Sequence, residues 1–598
     1  MSSMHKQMVT GAVATLAIFA IADPAMAQFF NDNYGRSVYY DYGAELAMIR
    51  VGAVTLSTTL GFLIGWFLSP QARNFRRMVA AIAAGIAVLV LIFNNGALGW
   101  STAFFGSIIG FCVALGYWLG RGVRAMMDVP KTFGSAKWAD IDDLWDEGLF
   151  EEEGLIIGTA FDGEEVSPLR YSGERHALTV AKTRGGKGTS QIVPNLLTYE
   201  GSVVVIDPKG ENALITGKAR EEMGQEVHYF DPWDVVSSKL GVKPSRYNPL
   251  KWLKLSDPDA PENAMILANA IVLNQGKADP IWPEESKALY QGLMLYCCFD
   301  ANYADRGNLG TVRDMTLGDA DQLKRLFTEM ANSPHQLIAS AGSRSLQKDP
   351  KLLSNVLSSA QSELHMMDSA RLREAMSDSD FDFADLKKKP MTIYIIFPAD
   401  RIETFSRAMR LIIEQSLTVN ARNIDIQPDK PVLYILDEMP ALGRLPMVRQ
   451  AYGLMAGFGV KLWCFAQNLS QLREIYGEAT ETFIANSGVI SYFGTTDKTT
   501  AEYFSDLCGM TTVWNLSSAL SNAFSSSSGA GGGSSSTSWS ETDTRAASQR
   551  KLAYPDELMR LRGDRQLLFV EEMDPMIAGK LRWYEDPDLA AKGNSLKN

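Results

Sequence analysis

Six short runs of strand-forming apolar residues recur between residues 176 and 493: HALTVA (176–181), SVVVID (202–207), MTIYIIF (391–397), PVLYIL (431–436), KLWCFA (461–466) and SGVISYF (487–493). Such near-continuous apolar runs are what strands covered on both faces require. Helical patterns lie between them, as at 404–420 and 446–457. The alternation predicts a doubly wound α/β core around a largely parallel sheet. A further apolar run, LLFV (567–570), predicts one more strand.

Residues 255–388 interrupt this pattern. They carry almost no strand signal and many helix formers, which predicts an all-α domain inserted between two halves of a nucleotide-binding-type core, 130–254 and 389–515. The segment 516–550 is rich in Ser and Gly, including SSSSGAGGGSSSTS, and reads as a flexible loop. Its glycines follow no buried strand and precede no amphipathic helix, so they are not a nucleotide fingerprint. Order is expected to resume near Tyr554-Pro555, with 551–598 completing the core.

The first 130 residues are of another kind, with apolar runs at 8–22, 51–68, 78–93 and 101–120. Residues 1–27, with Lys6 before the run and Ala25-Met26-Ala27 after it, read either as a signal peptide or as a first span. Residues 28–125 read as a transmembrane region. Arg73, Arg76 and Arg77, and later Arg121, Arg124 and Lys131, mark cytoplasmic flanks. Either fate of the first run leaves everything beyond residue 121 in the cytoplasm. The five cysteines lack metal-ligand spacing and read as buried thiols in a reducing compartment. A formal net charge of −12 excludes nucleic-acid binding through bulk charge, so any such contact must use a local basic surface.

The chemistry concentrates at strand ends. After the run at 176–181 comes Thr183-Arg184-Gly185-Gly186-Lys187-Gly188-Thr189, and then a helical pattern. Glycines let backbone N–H groups face phosphate oxygens, and a helix N-terminus adds partial positive charge. Lys187 would reach the β- and γ-phosphates. The loop departs from the usual pattern at Ala181, in place of the first Gly, and at Gly188, in place of a Mg²⁺-holding hydroxyl; Thr189 is the nearest hydroxyl and Thr183 another. The strand PVLYIL ends in Asp437-Glu438. In that position an Asp can hold Mg²⁺ and the next Glu can polarise the attacking water, although an acidic loop is the plainer reading. Gln467, after another strand, either senses the γ-phosphate or orients water, or else caps a helix or makes a loop hydrogen bond. In VVVIDPKGE (203–211), Asp207, Lys209 and Glu211 form either a turn or part of a site.

An ordered series of motifs spans roughly residues 130 to 590. It runs FGSAKWAD (133–140), TRGGKGTSQIVPNLLTY (183–199), VVVIDPKGEN (203–212), NPL (248–250), IWPEESKALYQGLMLY (281–296), LYILDEMPALGRL (433–445), FAQNLSQLREIYG (465–477) and PDELMRL (555–561). In these stretches the chain resembles the TraG-type coupling proteins of type IV secretion and conjugation. The resemblance implies a RecA-like P-loop NTPase core with an inserted all-α domain behind N-terminal transmembrane helices. It also implies ATP with Mg²⁺, a multi-pass bacterial inner-membrane location and a homo-hexamer. The implied partners are single-stranded DNA with its relaxase, or effector proteins, and the components of a type IV secretion channel. The strand-end motifs make Glu438, Lys187 and Gln467 the candidate catalytic residues, Thr183 to Thr189 the nucleotide-binding loop, and Asp437 with Thr189 the candidate metal ligands. Arg401, Arg407, Arg410 and Arg444 are candidates to reach a neighbouring subunit. Two rivals stay open: a double-stranded DNA translocase of the FtsK kind, and a protein-only secretion receptor with little or no ATP turnover.

Overall fold

The computed structural model describes residues 52, 57–66, 110, 112–119, 134–272, 281–527 and 534–595. All six apolar runs are strands: β3 (His176–Val180), β4 (Val203–Ile206), β6 (Met391–Ile395), β7 (Val432–Leu436), β8 (Val460–Ala466) and β9 (Ser487–Tyr492). Every residue in them is buried. With β5 (Glu226–Phe230) they form a parallel block in the order β9-β3-β8-β7-β4-β6-β5. β5 is the edge strand, which is why EVHYF can start with a charge and give no apolar run.

Beyond β9 the sheet continues antiparallel through β12 (Arg565–Val570), β13 (Met576–Gly579), β1 (Leu155–Phe161) and β2 (Val166–Tyr171), making eleven strands. Of these four only β12 was expected from the sequence, although β1, LIIGTAF, also opens on a buried apolar run. β2 is half-exposed and contains Pro168, and β13 has four residues. Within residues 551–595, β12 and β13 are thus woven into the sheet.

The chain leaves β3 through the Gly-rich loop into a π-helical turn, Gly188–Ile192, and then α1 (Val193–Thr198). Buried polar side chains fasten this helix to the sheet. Asn195 exchanges two 2.8 Å hydrogen bonds with the backbone of Ile156. Gln191 accepts from the Thr179 hydroxyl and donates to that of Ser491, both at 2.8 Å. Arg220, on α2 (Glu211–Glu222), is fully buried and donates to the carbonyls of Leu196, Tyr199 and Gly201 and to the Thr392 hydroxyl. A cation among the last carbonyls of α1 is favourable for the helix dipole.

Among the described residues of 255–388 there are helices and no strand: α3 (Ala260–Ile271), α4 (Ile281–Phe299), α5 (Leu309–Met315), α6 (Ala320–Ala331), α7 (Gln336–Gln347), α8 (Pro350–Glu363) and α9 (Ala370–Ala375). The helical patterns at 404–420 and 446–457 are α10 (Ile402–Arg422) and α11 (Pro446–Leu454). One continuous core runs from Leu178, Val204 and Ile206 of the sheet to Leu267, Tyr290, Leu293 and Phe327 of the helical region. Gly134–Thr511 with Gln549–Asn598 therefore make a single compact unit.

The second unit comprises Met1–Phe133 and Thr512–Ser548. Its residues 57–66 and 112–119 are helical. These two stretches touch through glycine: a Cβ on Gly116 would come within 2.7 Å of the Phe62 carbonyl, and one on Gly65 would collide with the Val113 backbone. The runs 8–22 and 78–93, and residues 1–27 as a whole, lie outside the described residues. Among the described residues no helix is long and apolar enough to cross a membrane.

One expectation is corrected. Where the Ser/Gly composition of 516–550 reads as a flexible loop, the structure has a two-stranded sheet of β10 (Met510–Ser527) and β11 (Ser534–Lys551). The ladder needs only backbone groups, and Val513, Trp514, Thr537 and Trp539 are of types that favour extended structure. Its glycines cluster at 529–533, outside both strands.

Candidate nucleotide-binding site

Ala181 follows β3 and is fully buried, and its amide donates to the Ala466 carbonyl at 2.9 Å. The β3–β8 ladder thus runs one residue further, which explains a small apolar residue where the usual loop begins with Gly. The turn then uses left-handed backbone at Arg184 (φ 61°) and Gly186 (φ 92°). A Cβ on Gly185 would meet the Lys182 carbonyl at 2.8 Å. The Gly186 carbonyl accepts from Ser190 N (2.9 Å), Thr189 Oγ1 (3.1 Å) and Ser190 Oγ (2.6 Å). The first amides of the helix beginning at Gly188 have no intrahelical acceptor, as anion binding requires.

Lys187 crosses from this loop to the end of β7, past the intervening β8. Its Nζ lies 2.7 Å from Asp437 Oδ1 and 2.6 Å from Glu438 Oε1. Glu438 is left-handed (φ 56°, ψ 41°), a conformation rarely adopted by a non-glycine residue and concentrated at functional sites. Gln467, at the end of β8, donates from Nε2 to Glu438 Oε2 (3.2 Å) and accepts at Oε1 from the Thr183 hydroxyl (3.3 Å). Helix α12 (Leu469–Tyr476) is capped by Asn468, so Gln467 is not a helix cap. Thr183, Lys187, Asp437, Glu438 and Gln467 thus form one connected set. Thr189 is not joined to it, because its hydroxyl is held by Gly186.

Burial alone would lower the Lys187 pKa, but Asp437 and Glu438 together hold it above the usual lysine range, so it is charged. Burial pushes the Asp437 carboxyl up, and the Lys187 charge offsets this only in part. Asp207, at the end of the neighbouring β4, is fully buried and pushed up to about 7, first by burial and then by the charge of Asp437. It also accepts from Ala213 N at 2.8 Å, so it orders the turn into α2. Lys209 and Glu211 are exposed.

These residues fit a magnesium nucleotide. Asp437 Oδ1 is buried and accepts no well-aligned hydrogen bond despite its ion-pair contact, which suits a hard cation. The loop is lined by glycines, and Lys187 is the only charged partner facing both carboxylates among the described residues.

Of the candidate arginines, Arg410 is buried and donates to the Ala270 and Ile271 carbonyls, and Arg407 pairs with Glu363 at 2.9 Å. Neither is free to reach another subunit. Arg401 packs over Trp233 and lies 3.5 Å from Asp400, whereas Arg444 is exposed and in no ion pair among the described residues. Sequence reading missed Lys580, just beyond β13, whose Nζ donates to the Gly185 carbonyl at 3.0 Å. Nothing in its surroundings, GKLRWY, resembles a site motif.

Residues 137–598 match the family model described as type IV secretory system conjugative DNA transfer. The protein VirD4 of Rhizobium radiobacter is 28% identical over 474 residues, covering 77% of this chain and 65% of that protein. A conjugal transfer protein TraG of Escherichia coli is 29% identical over 420 residues, covering 64% of each. The chain thus spans slightly under two thirds of the length of these curated relatives. Among solved structures, the unbound bacterial conjugative coupling protein TrwB lacking its N-terminal segment has a TM-score of 0.55 at 15% identity, covering 76% of this chain and 95% of that one. The plasmid coupling protein TrwB in complex with ADP and Mg²⁺ has a TM-score of 0.54 at 16% identity, covering 75% and 94%. These likenesses show a shared fold, a mixed α/β architecture around a large central sheet.

Proposed function

This chain belongs to the type IV secretory system conjugative DNA transfer family, and from that premise we propose that it is an inner-membrane coupling ATPase, recruiting single-stranded DNA with its relaxase, or effector proteins, and driving transfer into a type IV secretion channel. The observation that carries the reading is the Lys187 ammonium, from the loop after β3, held between Asp437 and Glu438 at the end of the non-adjacent strand β7. A TrwB structure whose title names ADP and Mg²⁺ lends support, since the two chains share a fold.

In this reading the Gly185–Thr189 backbone cradles phosphates, and Lys187 leaves the two carboxylates to face the β- and γ-phosphates. Asp437, with Thr189 once its hydroxyl turns away from Gly186, would hold Mg²⁺, which when bound offsets charge on the phosphate oxygens. Glu438 takes up the proton of the attacking water, and Gln467 keeps that carboxylate oriented. After residue 551 the chain contributes two strands, β12 and β13, to the central sheet, which favours this reading over a double-strand translocase with a sequence-reading winged helix there. The apolar N-terminal runs support a multi-pass anchor with the ATPase unit in the cytoplasm. Arg444 is the exposed arginine best suited to act on a neighbour in a hexameric ring.

A ring also reconciles a net charge of −12 with DNA handling, because each channel-facing cation is repeated in every subunit. Binding is expected to be sequence-independent, stronger for single than for double strands and steeply weakened by salt. Titrating labelled single- and double-stranded oligonucleotides at two salt concentrations, with monomer and oligomer fractions run separately, tests this. Absence of single-strand affinity in the oligomer at low salt would replace DNA with protein as the cargo.

A further inference from the structure

We propose that Lys580 is a positioning residue of the nucleotide site, fixing the phosphate-binding loop from its outer side and contributing a second cation beyond Lys187; this rests on the nucleotide reading above. Lys580 follows β13, and its own amide donates to the Asp564 carbonyl at 3.0 Å, which fixes its backbone beside the start of β12. Its Nζ lies 3.9 Å from the centroid of the Phe493 ring and donates to the carbonyl of Gly185, the residue before the left-handed Gly186. Three residues on, Trp583 N donates to the Thr189 carbonyl at 3.1 Å. The Trp583 side chain packs with Val193 and Leu197 of α1. One short segment therefore grips the loop at both ends, Gly185 and Thr189.

Holding a carbonyl needs only a neutral donor, so the charge requires a separate reason. The charged groups around the Lys580 ammonium are Lys182, Arg582 and Asp564, two cations against one carboxylate. That carboxylate is itself bonded to Arg562 at 3.0 Å. Burial first, and then the charges of Lys182 and Arg582, bring the Lys580 pKa down to about 8. A polyphosphate in the loop would supply the missing anion and restore the charged form. Nucleotide then binds more tightly when Lys580 is protonated, so affinity is full below pH 8 and falls as pH rises above it.

The test is calorimetric titration of the full-length protein with a magnesium-bound non-hydrolysable ATP analogue between pH 7 and pH 9. For the wild type, affinity is expected to fall about tenfold across that range, as it does when binding returns the pKa toward an ordinary lysine value. Lys580→Arg keeps donor and charge, so it should bind within about twofold of wild type at pH 7 and lose the pH dependence. Lys580→Gln mimics the neutral form, so its binding at pH 7 should be weaker by about a hundredfold or more and should also lose the pH dependence. Wild-type affinity and an unchanged pH profile in Lys580→Gln overturn the proposal. If that variant does not fold, a pH dependence surviving in Lys580→Arg overturns it equally. No binding in the wild type would instead remove the nucleotide reading itself.

Discussion

Lys187→Ala is expected to lower ATP hydrolysis by about a hundredfold or more while leaving the protein folded. Removing one preorganised contact to a developing anionic charge typically costs roughly 3–4 kcal/mol of transition-state stabilisation. Here the loss is compounded, because Lys187 is also what separates Asp437 from Glu438. Without it two carboxylates face one another beside the buried Asp207, and the site becomes hostile to a polyphosphate. Steady-state turnover of the full-length variant, with a thermal melt to show that it is folded, measures this. Turnover at the wild-type rate in a folded variant would remove Lys187 from the site.

The second large effect is a division of labour between adjacent acids. Glu438→Gln keeps an oxygen for Lys187 and for Gln467 but loses the proton acceptor, so nucleotide affinity should stay within a few-fold while turnover drops by about a hundredfold. Asp437→Asn removes the buried anionic oxygen suited to the metal, so the magnesium–nucleotide complex itself should weaken, by roughly tenfold or more. Affinity for the magnesium nucleotide, measured in both variants beside turnover, decides it. Equal loss of binding in the two would show that the roles are wrongly divided.

The parallel half of the sheet was legible because strands buried on both faces must be apolar throughout, and chance seldom produces six such runs between helical patterns. The antiparallel half was not. β2 and β13 are short, partly exposed or interrupted by Pro168, and β1 and β2 reach β13 from the other end of the sequence. The connected set of Thr183, Lys187, Asp437, Glu438 and Gln467 was readable because each sits just past a strand end, and a parallel sheet gathers those ends on one edge. Lys580 lies past an antiparallel strand with no motif around it, so only the fold brings it to Gly185. The Ser/Gly segment misled because composition weighs glycine wherever it lies, whereas these glycines cluster between two long strands.

The central claim is that this strand-edge cluster hydrolyses ATP in the service of moving a single strand. The most direct measurement is steady-state ATP turnover by the oligomeric full-length protein, with and without single-stranded oligonucleotides at low salt. The account predicts turnover that rises several-fold on adding single strands, falls back as salt is raised, and is absent from both Lys187→Ala and Glu438→Gln. Turnover indistinguishable from that of Lys187→Ala, whether or not single strands are present, would contradict it.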